Sequence, residues 1–212
     1  PELPGALELI PSLEAEGVVC SFGHSQADYE QTTAGIEAGI RHVTHLYNAM
    51  MPMHHRDPGP IPAVLEAQAV SAQIIADGVH IHPAMLRMAV QALGENRPVL
   101  ITDGTQAMGL PDGRYRYNGL EYESRNGTAR YLDGTLIGTS LGMSQLVARC
   151  VRHGVCGLPQ AVRAASYNPA CVLGLQESKG SLEQGRDADL VVLNRDLSVH
   201  MTCRCGRFVH GA

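Results

Sequence analysis

Tryptophan is absent from the 212 residues, and phenylalanine occurs only twice. A core that lacks large aromatic rings must be built from aliphatic side chains, alanine and methionine. The chain also lacks an excess of basic residues, because Lys and Arg number 16 against 21 Asp and Glu, which gives a net charge of −5. This balance provides no electrostatic footprint for nucleic acid, which we therefore exclude as a partner.

No apolar run approaches the roughly 18 residues of a membrane span, and no secretory signal opens the sequence. The chain starts PELPGALELI, without Met, so we expect an N-terminus that was processed, trimmed or cut. The cysteines show no zinc-ribbon spacing; they are Cys20, Cys150, Cys156, Cys171, Cys203 and Cys205. We expect free thiols in a reducing cytoplasm, and no membrane partner.

Apolar strands alternate with helices through the first half of the chain. Strand-like runs are GVVCSFG, IRHVT, SAQIIA and RPVLIT, and helical patterns such as 26–39 and PAMLRMAVQALG separate them. This alternation is typical of an α/β fold with a parallel sheet. Beyond it, residues 112–138 predict a β-hairpin insertion, three helical stretches follow, and the tail is strand-like.

Each of the four apolar strands ends on polar residues. His24 follows the first, His45 the second, Asp77 and His80 the third, and Asp103 the fourth. The carboxyl ends of parallel strands gather on one face, where the chemistry of such folds lies. A lone histidine would more simply be a core or capping residue, but four successive polar strand ends predict a metal-assisted hydrolase.

Six motifs carry a family resemblance. They are GHSQAD, THLYNAM, RDPG, ADGVHIHP, LITDG and GTLIGTSLGM, and they occur in order over about residues 15–210. Together they resemble the N-acetylglucosamine-6-phosphate deacetylases of the amidohydrolase superfamily. The resemblance implies hydrolysis of the acetamide of N-acetylglucosamine 6-phosphate to glucosamine 6-phosphate and acetate. The tail KGSLEQGRDADLVVL resembles the C-terminal signature of amidohydrolases in general.

The resemblance also implies roles for the strand-end residues. His24 and His45 match the family's metal-binding histidines, with zinc expected first and iron as the alternative. Asp103 matches the catalytic aspartate, which takes a proton from water and delivers it to the leaving amine. The competing interpretations are satisfied core histidines and a helix N-cap for Asp103.

Ten further positions match the family's substrate contacts; they are Asn48, Ala49, Arg56, Asp77, Gly78, Val79, His80, Leu136, Ile137 and Gly138. In the family, the matching arginine reaches the sugar phosphate of a neighbouring subunit, so Arg56 implies a homodimer. An ordinary solvated arginine is the alternative there, and a turn residue is the alternative for Asn48. Leu136–Gly138 match a loop that closes on the sugar.

The family's N-terminal half, with a glutamate that completes the metal site, is not in this sequence. We therefore expect the second half of a TIM-like (β/α)8 barrel, about four βα units, over 1–175. The C-terminal strands of a small β-domain would occupy 176–212. We expect a chain with two of three protein ligands to bind metal less tightly and to be inactive alone.

Two other functions stay open. Another amidohydrolase, such as a dihydroorotase, would share the tail signature but not the THLYNAM and ADGVH motifs. A non-catalytic chain would keep a sugar-phosphate site without a complete metal centre.

Overall fold

A computed structural model describes residues 1–211, which form two compact units. The first unit comprises Pro1–Ile74 and Ala84–Val99, and the second comprises Ile75–Pro83 and the chain from Leu100 onward. None of the helices within residues 1–211 is long and apolar enough to cross a membrane. The expected boundary between 1–175 and 176–212 stays a prediction.

Four short strands form one sheet. They are β1 (Ser21–Phe22), β2 (His42–Val43), β3 (Ser71–Ile74) and β4 (Pro98–Leu100), and they lie in that order. The helices among them are α1 (Ala6–Ala15), α2 (Tyr29–Ala38), α3 (Pro60–Glu66) and α4 (Pro83–Leu93). Strands β1 and β2 pair in parallel, as do β2 and β3. The predicted α/β class with a parallel sheet is therefore confirmed.

Local sequence signals account for the helix boundaries. Helix α2 begins at a capping box, in which the Asp28 carboxylate accepts from the backbone N–H of Gln31 at 2.8 Å. The Gln31 side chain in turn accepts from the backbone N–H of Asp28 at 3.1 Å, so two otherwise unpaired donors are satisfied. Helix α4 begins at Pro83, as predicted, because proline suits the first helical position.

The core of the first unit is aliphatic. Val43, Leu46, Val64 and Val70 are fully buried, and they pack in one cluster with Ile61. Alanines and Phe22 also belong to this cluster, and no methionine within residues 1–211 is buried. The predicted core is thus confirmed for aliphatic residues and alanine but not for methionine.

The second unit contains two antiparallel sheets and three helices. Segment 112–138 contributes to four strands rather than to a single hairpin: β5 (Gly113–Tyr117), β6 (Leu120–Arg125), β7 (Thr128–Tyr131) and β8 (Leu136–Thr139). Tyr122, on β6, is fully buried against Ala107 and Ala129. The remaining elements are α5 (Met143–Arg152), α6 (Leu158–Ala165), α7 (Tyr167–Val172), β9 (Leu190–Leu193), β10 (Val199–Arg204) and β11 (Arg207–His210).

Candidate active site

The turns after β1 and β2 bring His24 and His45 together. The parallel register pairs Ser21 with His42, and each histidine follows its own register partner by three residues. The two Nε2 atoms lie 2.8 Å apart, and the rings meet edge to face with centroids 4.5 Å apart. The two strand-end histidines are therefore neighbours, and their role as metal ligands stays a prediction.

The two histidines and the candidate catalytic aspartate have a strained backbone. His24, His45 and Asp103 lie in the left-handed region, with φ of 47°, 29° and 45°. For residues other than glycine this conformation costs about 1–2 kcal/mol. Six other non-glycine residues within 1–211 share it, including Ala49, with a φ of 51°. Strain therefore accompanies the site positions without being restricted to them.

Burial differs between the two histidines. His45 is only 7% exposed, whereas His24 is exposed to solvent. The interpretation of His24 as a satisfied core histidine is therefore wrong, because its position at the end of a two-residue strand leaves its side chain at the surface. One ring is anchored in the unit and the other is open to a ligand.

The histidine pair suits a divalent metal in donor type. Two imidazole nitrogens that bind one zinc ion at about 2.0–2.1 Å in tetrahedral geometry lie about 3.3 Å apart. The observed separation of 2.8 Å requires only a small opening of the pair. Within residues 1–211, however, no group of three or more His, Cys, Asp or Glu side chains is arranged to hold a metal. The pair therefore fits as part of a metal site, one ligand short of the usual three.

Asn48 and Ala49 belong to the turn that follows His45. The Asn48 side-chain amide donates to the carbonyl oxygens of His45 and Leu46, at 3.2 Å each. The carbonyl of Ala49 accepts from the backbone N–H of Ser25 at 3.0 Å. These bonds give Asn48 the turn role that was its alternative interpretation, and they tie together the two turns that carry the histidines. Contact of either residue with substrate stays a prediction.

Arg56 lies in the exposed loop before α3. Its Nη1 is 2.7 Å from Nε2 of His55, and its backbone N–H donates to Nδ1 of His54 at 3.4 Å. Arg56 is exposed to solvent. The His55 ring orients its guanidinium.

Asp103, in the second unit, lies beside β8. Thr139 donates its backbone N–H to the Asp103 carbonyl at 2.9 Å, and Gly104 forms a parallel bridge with Thr139. Leu136–Gly138, which match a loop that closes on the sugar, lie in strand β8, where the backbone pairs with β7 on one side and with the Asp103 segment on the other. Their contact with the sugar stays a prediction. No helix begins at Asp103, which removes the N-cap interpretation. Its carboxylate makes no hydrogen bond within residues 1–211 and stays available for proton transfer.

Asp77 and His80 form a buried pair in the turn after β3. The Asp77 Oδ2 and His80 Nδ1 atoms are 2.7 Å apart, and the two side chains are 0% and 4% exposed. Gly78 and Val79 form the turn between them, and Val79 is 42% exposed. All four of these predicted substrate contacts thus lie in one tight turn.

Comparison with known proteins identifies the class. The family model of the amidohydrolase family matches residues 15–209. The chain therefore belongs to the amidohydrolase family, whose enzymes generally use a divalent metal.

Within this family, the chain is similar to N-acetylglucosamine-6-phosphate deacetylases. It is 38% identical to that of Lysinibacillus sphaericus over 98% of this chain and 53% of the relative. It is 39% identical to the human deacetylase over 99% of this chain and 52% of the relative. A Mycobacterium smegmatis deacetylase variant in complex with N-acetyl-D-glucosamine-6-phosphate superimposes with a TM-score of 0.93, at 42% identity, over 99% of this chain and 56% of that one. The chain spans about half the length of the curated relatives it matches.

Sequence reasoning missed two residues that support the predicted site. Thr139 holds the Asp103 backbone, and Arg149 on α5 donates to the carbonyl of Asp77 at 2.9 Å. Both act over long sequence separations, 36 and 72 residues, through the main chain of their targets. Nothing in the sequence near Thr139 or Arg149 predicts that they contact Asp103 and Asp77.

Proposed function

We propose that this chain forms part of a metal-dependent deacetylase that converts N-acetylglucosamine 6-phosphate to glucosamine 6-phosphate and acetate. The observation that carries the proposal is the convergence of His24 and His45, whose Nε2 atoms lie 2.8 Å apart at the ends of two parallel strands. The similarity to deacetylases over 98% of the chain supports the substrate.

In this proposal His24 and His45 hold the metal, zinc before iron, with a glutamate from outside these 212 residues as the third protein ligand. A bound divalent metal polarises the amide carbonyl and acidifies water. Asp103 accepts a proton from the attacking water and then delivers it to the amine nitrogen as the C–N bond breaks. The absence of a hydrogen bond to its carboxylate within residues 1–211 leaves it free to do so.

The remaining matched positions would bind the phosphosugar. Arg56 would pair with the phosphate across a homodimer, because a guanidinium fits phosphate oxygens bidentately. Asn48, Ala49, the Asp77–His80 turn and Leu136–Gly138 would surround the sugar. The free state of all six cysteines favours a reducing compartment such as the cytoplasm. A (β/α)8 barrel, completed by residues outside this chain, would carry the site.

The test uses the full-length gene product that contains these residues. Acetate release is measured with N-acetylglucosamine 6-phosphate and with the unphosphorylated sugar, and metal content by elemental mass spectrometry. We expect His45→Ala to lose metal and Asp103→Ala to lower kcat by about 100-fold or more with metal retained. His200→Ala, an exposed position on β10, is the matched control and should change neither. Equal turnover of both sugars would overturn the phosphosugar assignment.

One observation favours a second candidate, a non-catalytic sugar-phosphate-binding chain. No third metal ligand accompanies the histidine pair within residues 1–211. A ligand that binds only the folded state raises its apparent stability. Stabilisation by N-acetylglucosamine 6-phosphate without acetate release, in the metal-loaded full-length protein, would favour this candidate over the enzyme.

A further inference from the structure

The turn between β3 and α4 encloses a carboxylate–imidazole pair that the deacetylase proposal does not explain. Oδ1 of Asp77 accepts from the backbone N–H groups of Val79 and His80, at 2.9 Å each. Oδ2 faces Nδ1 of His80 at 2.7 Å. Oδ1 therefore stabilises the backbone of the turn, and Oδ2 orients the His80 ring.

The surroundings fix this turn rigidly. Gly78 has a φ of 78°, and a β-carbon there would lie 3.3 Å from the His153 ring. Arg149 donates to the Asp77 carbonyl at 2.9 Å. The Asp77 side chain is fully buried and cannot rotate without losing three hydrogen bonds.

Asp77 is ionised in this environment. Burial by itself raises the pKa of its carboxyl, but the hydrogen bonds from the His80 ring and from the N–H groups of Val79 and His80 outweigh it, and the pKa is lowered. An ionised carboxylate only accepts hydrogen bonds. The proton in the 2.7 Å contact therefore belongs to Nδ1 of His80.

The other ring nitrogen of His80 is left for a ligand. Its Nε2 makes no hydrogen bond within residues 1–211, although the side chain is only 4% exposed. This nitrogen is not among the buried, unpaired polar atoms of residues 1–211, so a ligand can reach it.

We infer that Asp77 is a positioning residue: it keeps the proton of His80 on Nδ1 and so presents Nε2 as the ring atom that accepts a hydrogen bond from a hydroxyl group of the phosphosugar. Asp77, whose side chain is fully buried, acts through His80, and this role replaces the direct substrate contact proposed for it above. The inference rests on the proposed function for the identity of the ligand, and on the Asp77–His80 geometry alone for the tautomer.

The Asp77→Asn variant separates positioning from a structural role. Because Oδ1 must still accept two backbone N–H groups, the new amide nitrogen replaces Oδ2 and faces the ring. An amide NH2 donates, so Nδ1 of His80 must become the acceptor and the proton must move to Nε2. An aspartate-to-asparagine exchange beside a catalytic histidine acts in the same way in serine proteases. Turn and volume are kept, while the negative charge of the carboxylate is removed and the ring proton changes its position.

The experiment uses the full-length gene product labelled with 15N-histidine. Long-range 1H–15N spectra report which ring nitrogen carries the proton, and His80→Gln identifies the His80 signals. We expect the Nδ1–H pattern in the parent protein and the Nε2–H pattern in Asp77→Asn. We also expect KM for N-acetylglucosamine 6-phosphate to rise about tenfold with a smaller change in kcat. Asp133→Asn is the matched control, since Asp133 accepts from the Thr135 N–H at 2.9 Å in an exposed turn.

An unchanged ring pattern in Asp77→Asn would overturn the inference. So would a changed pattern with unchanged KM, because Nε2 would then meet no substrate. A changed pattern in a protein that does not turn over the phosphosugar would support the Asp77–His80 assignment and overturn the proposed substrate. The two failures are therefore distinguishable.

Discussion

The carbonyl oxygen of Asp103 accepts a hydrogen bond from the backbone N–H of Thr139 at 2.9 Å. The preceding residue, Gly138, lies so close to this carbonyl that a β-carbon on it would overlap the oxygen. The backbone of β8 thus acts as a support for the candidate catalytic aspartate. Only glycine allows the approach, which gives a structural reason for one of the matched substrate positions.

Gly138→Ala should therefore displace Asp103. Both the overlap and the φ of 137° oppose a side chain at this position. We expect a loss of at least about 2 kcal/mol in the free energy of unfolding, measured by urea denaturation, and a lower kcat. Gly134→Ala is the control: its φ is 91°, but a β-carbon there meets nothing within 4 Å. Its cost should be near 1 kcal/mol of strain alone, with kcat unchanged.

Because the backbone of His24 is left-handed, we predict that replacement by glycine lowers the free energy of unfolding less than replacement by alanine. At a φ of 47°, His24→Gly should be more stable than His24→Ala by about 1 kcal/mol, because glycine adopts this region without strain. His200, on strand β10, provides the control, where alanine should be the more stable replacement by about 0.5–1 kcal/mol. The same order at both positions in thermal or urea unfolding would contradict the strain argument.

Because His42 is buried with a lowered pKa, we predict that the protein loses stability in mild acid. Burial within β2 lowers its pKa from 6.5 to about 4, and its Nδ1 atom is 2.7 Å from the Ser71 hydroxyl. Between these two values the unfolded chain binds a proton that the folded chain does not. The free energy of unfolding should therefore fall as the pH drops from about 6.5 to about 4, by at most about 3 kcal/mol for this group, and level off below.

The His42→Asn variant tests this window. It removes the titration and should make the free energy of unfolding less dependent on pH between 7.5 and 4, in the range that the two pKa values define. His210→Asn, at an exposed position on β11, should leave the parent's pH dependence in place. Parallel profiles for parent and His42→Asn would show that His42 does not carry the effect.

We predict that Arg97, which is distant in sequence from His24 and His45, contributes strongly to the free energy of unfolding. The side chain is only 8% exposed and donates to five backbone carbonyls at 2.6–3.4 Å. These carbonyls belong to Val64, Leu65, Ala67, Ala92 and Leu93. Because an ammonium cannot reproduce the fork of a guanidinium, Arg97→Lys should lower the free energy of unfolding by about 3 kcal/mol.

The control for this change is Arg116→Lys, at an exposed position of β5. Its effect should stay within about 0.5 kcal/mol. Comparable values for the two variants in urea denaturation would mean that the Arg97 hydrogen bonds contribute nothing beyond charge.

Sequence reasoning succeeded where the information is local or periodic. The strand–helix alternation, the start of α4 at Pro83 and the strand-end position of His24 and His45 follow from hydrophobic spacing, proline chemistry and turn residues. Sequence reasoning placed residues 112–138 in a single hairpin, whereas the structure has four strands there. Strand β8 also contacts the backbone of Thr102 and Asp103, more than 30 residues away along the chain, and such distant pairing leaves no local signal.

The amino-acid sequence by itself determined the order of elements, the aliphatic composition of the core and the residue types at the strand ends, because these depend on neighbours a few residues apart. The tertiary structure decided what those residues can do. It set the 2.8 Å separation of the two histidines, the strained backbone of His24, His45, Ala49 and Asp103 and the contact between Asp77 and His80. Each of these depends on hydrogen bonds and packing between distant segments, which become definite only when the chain folds.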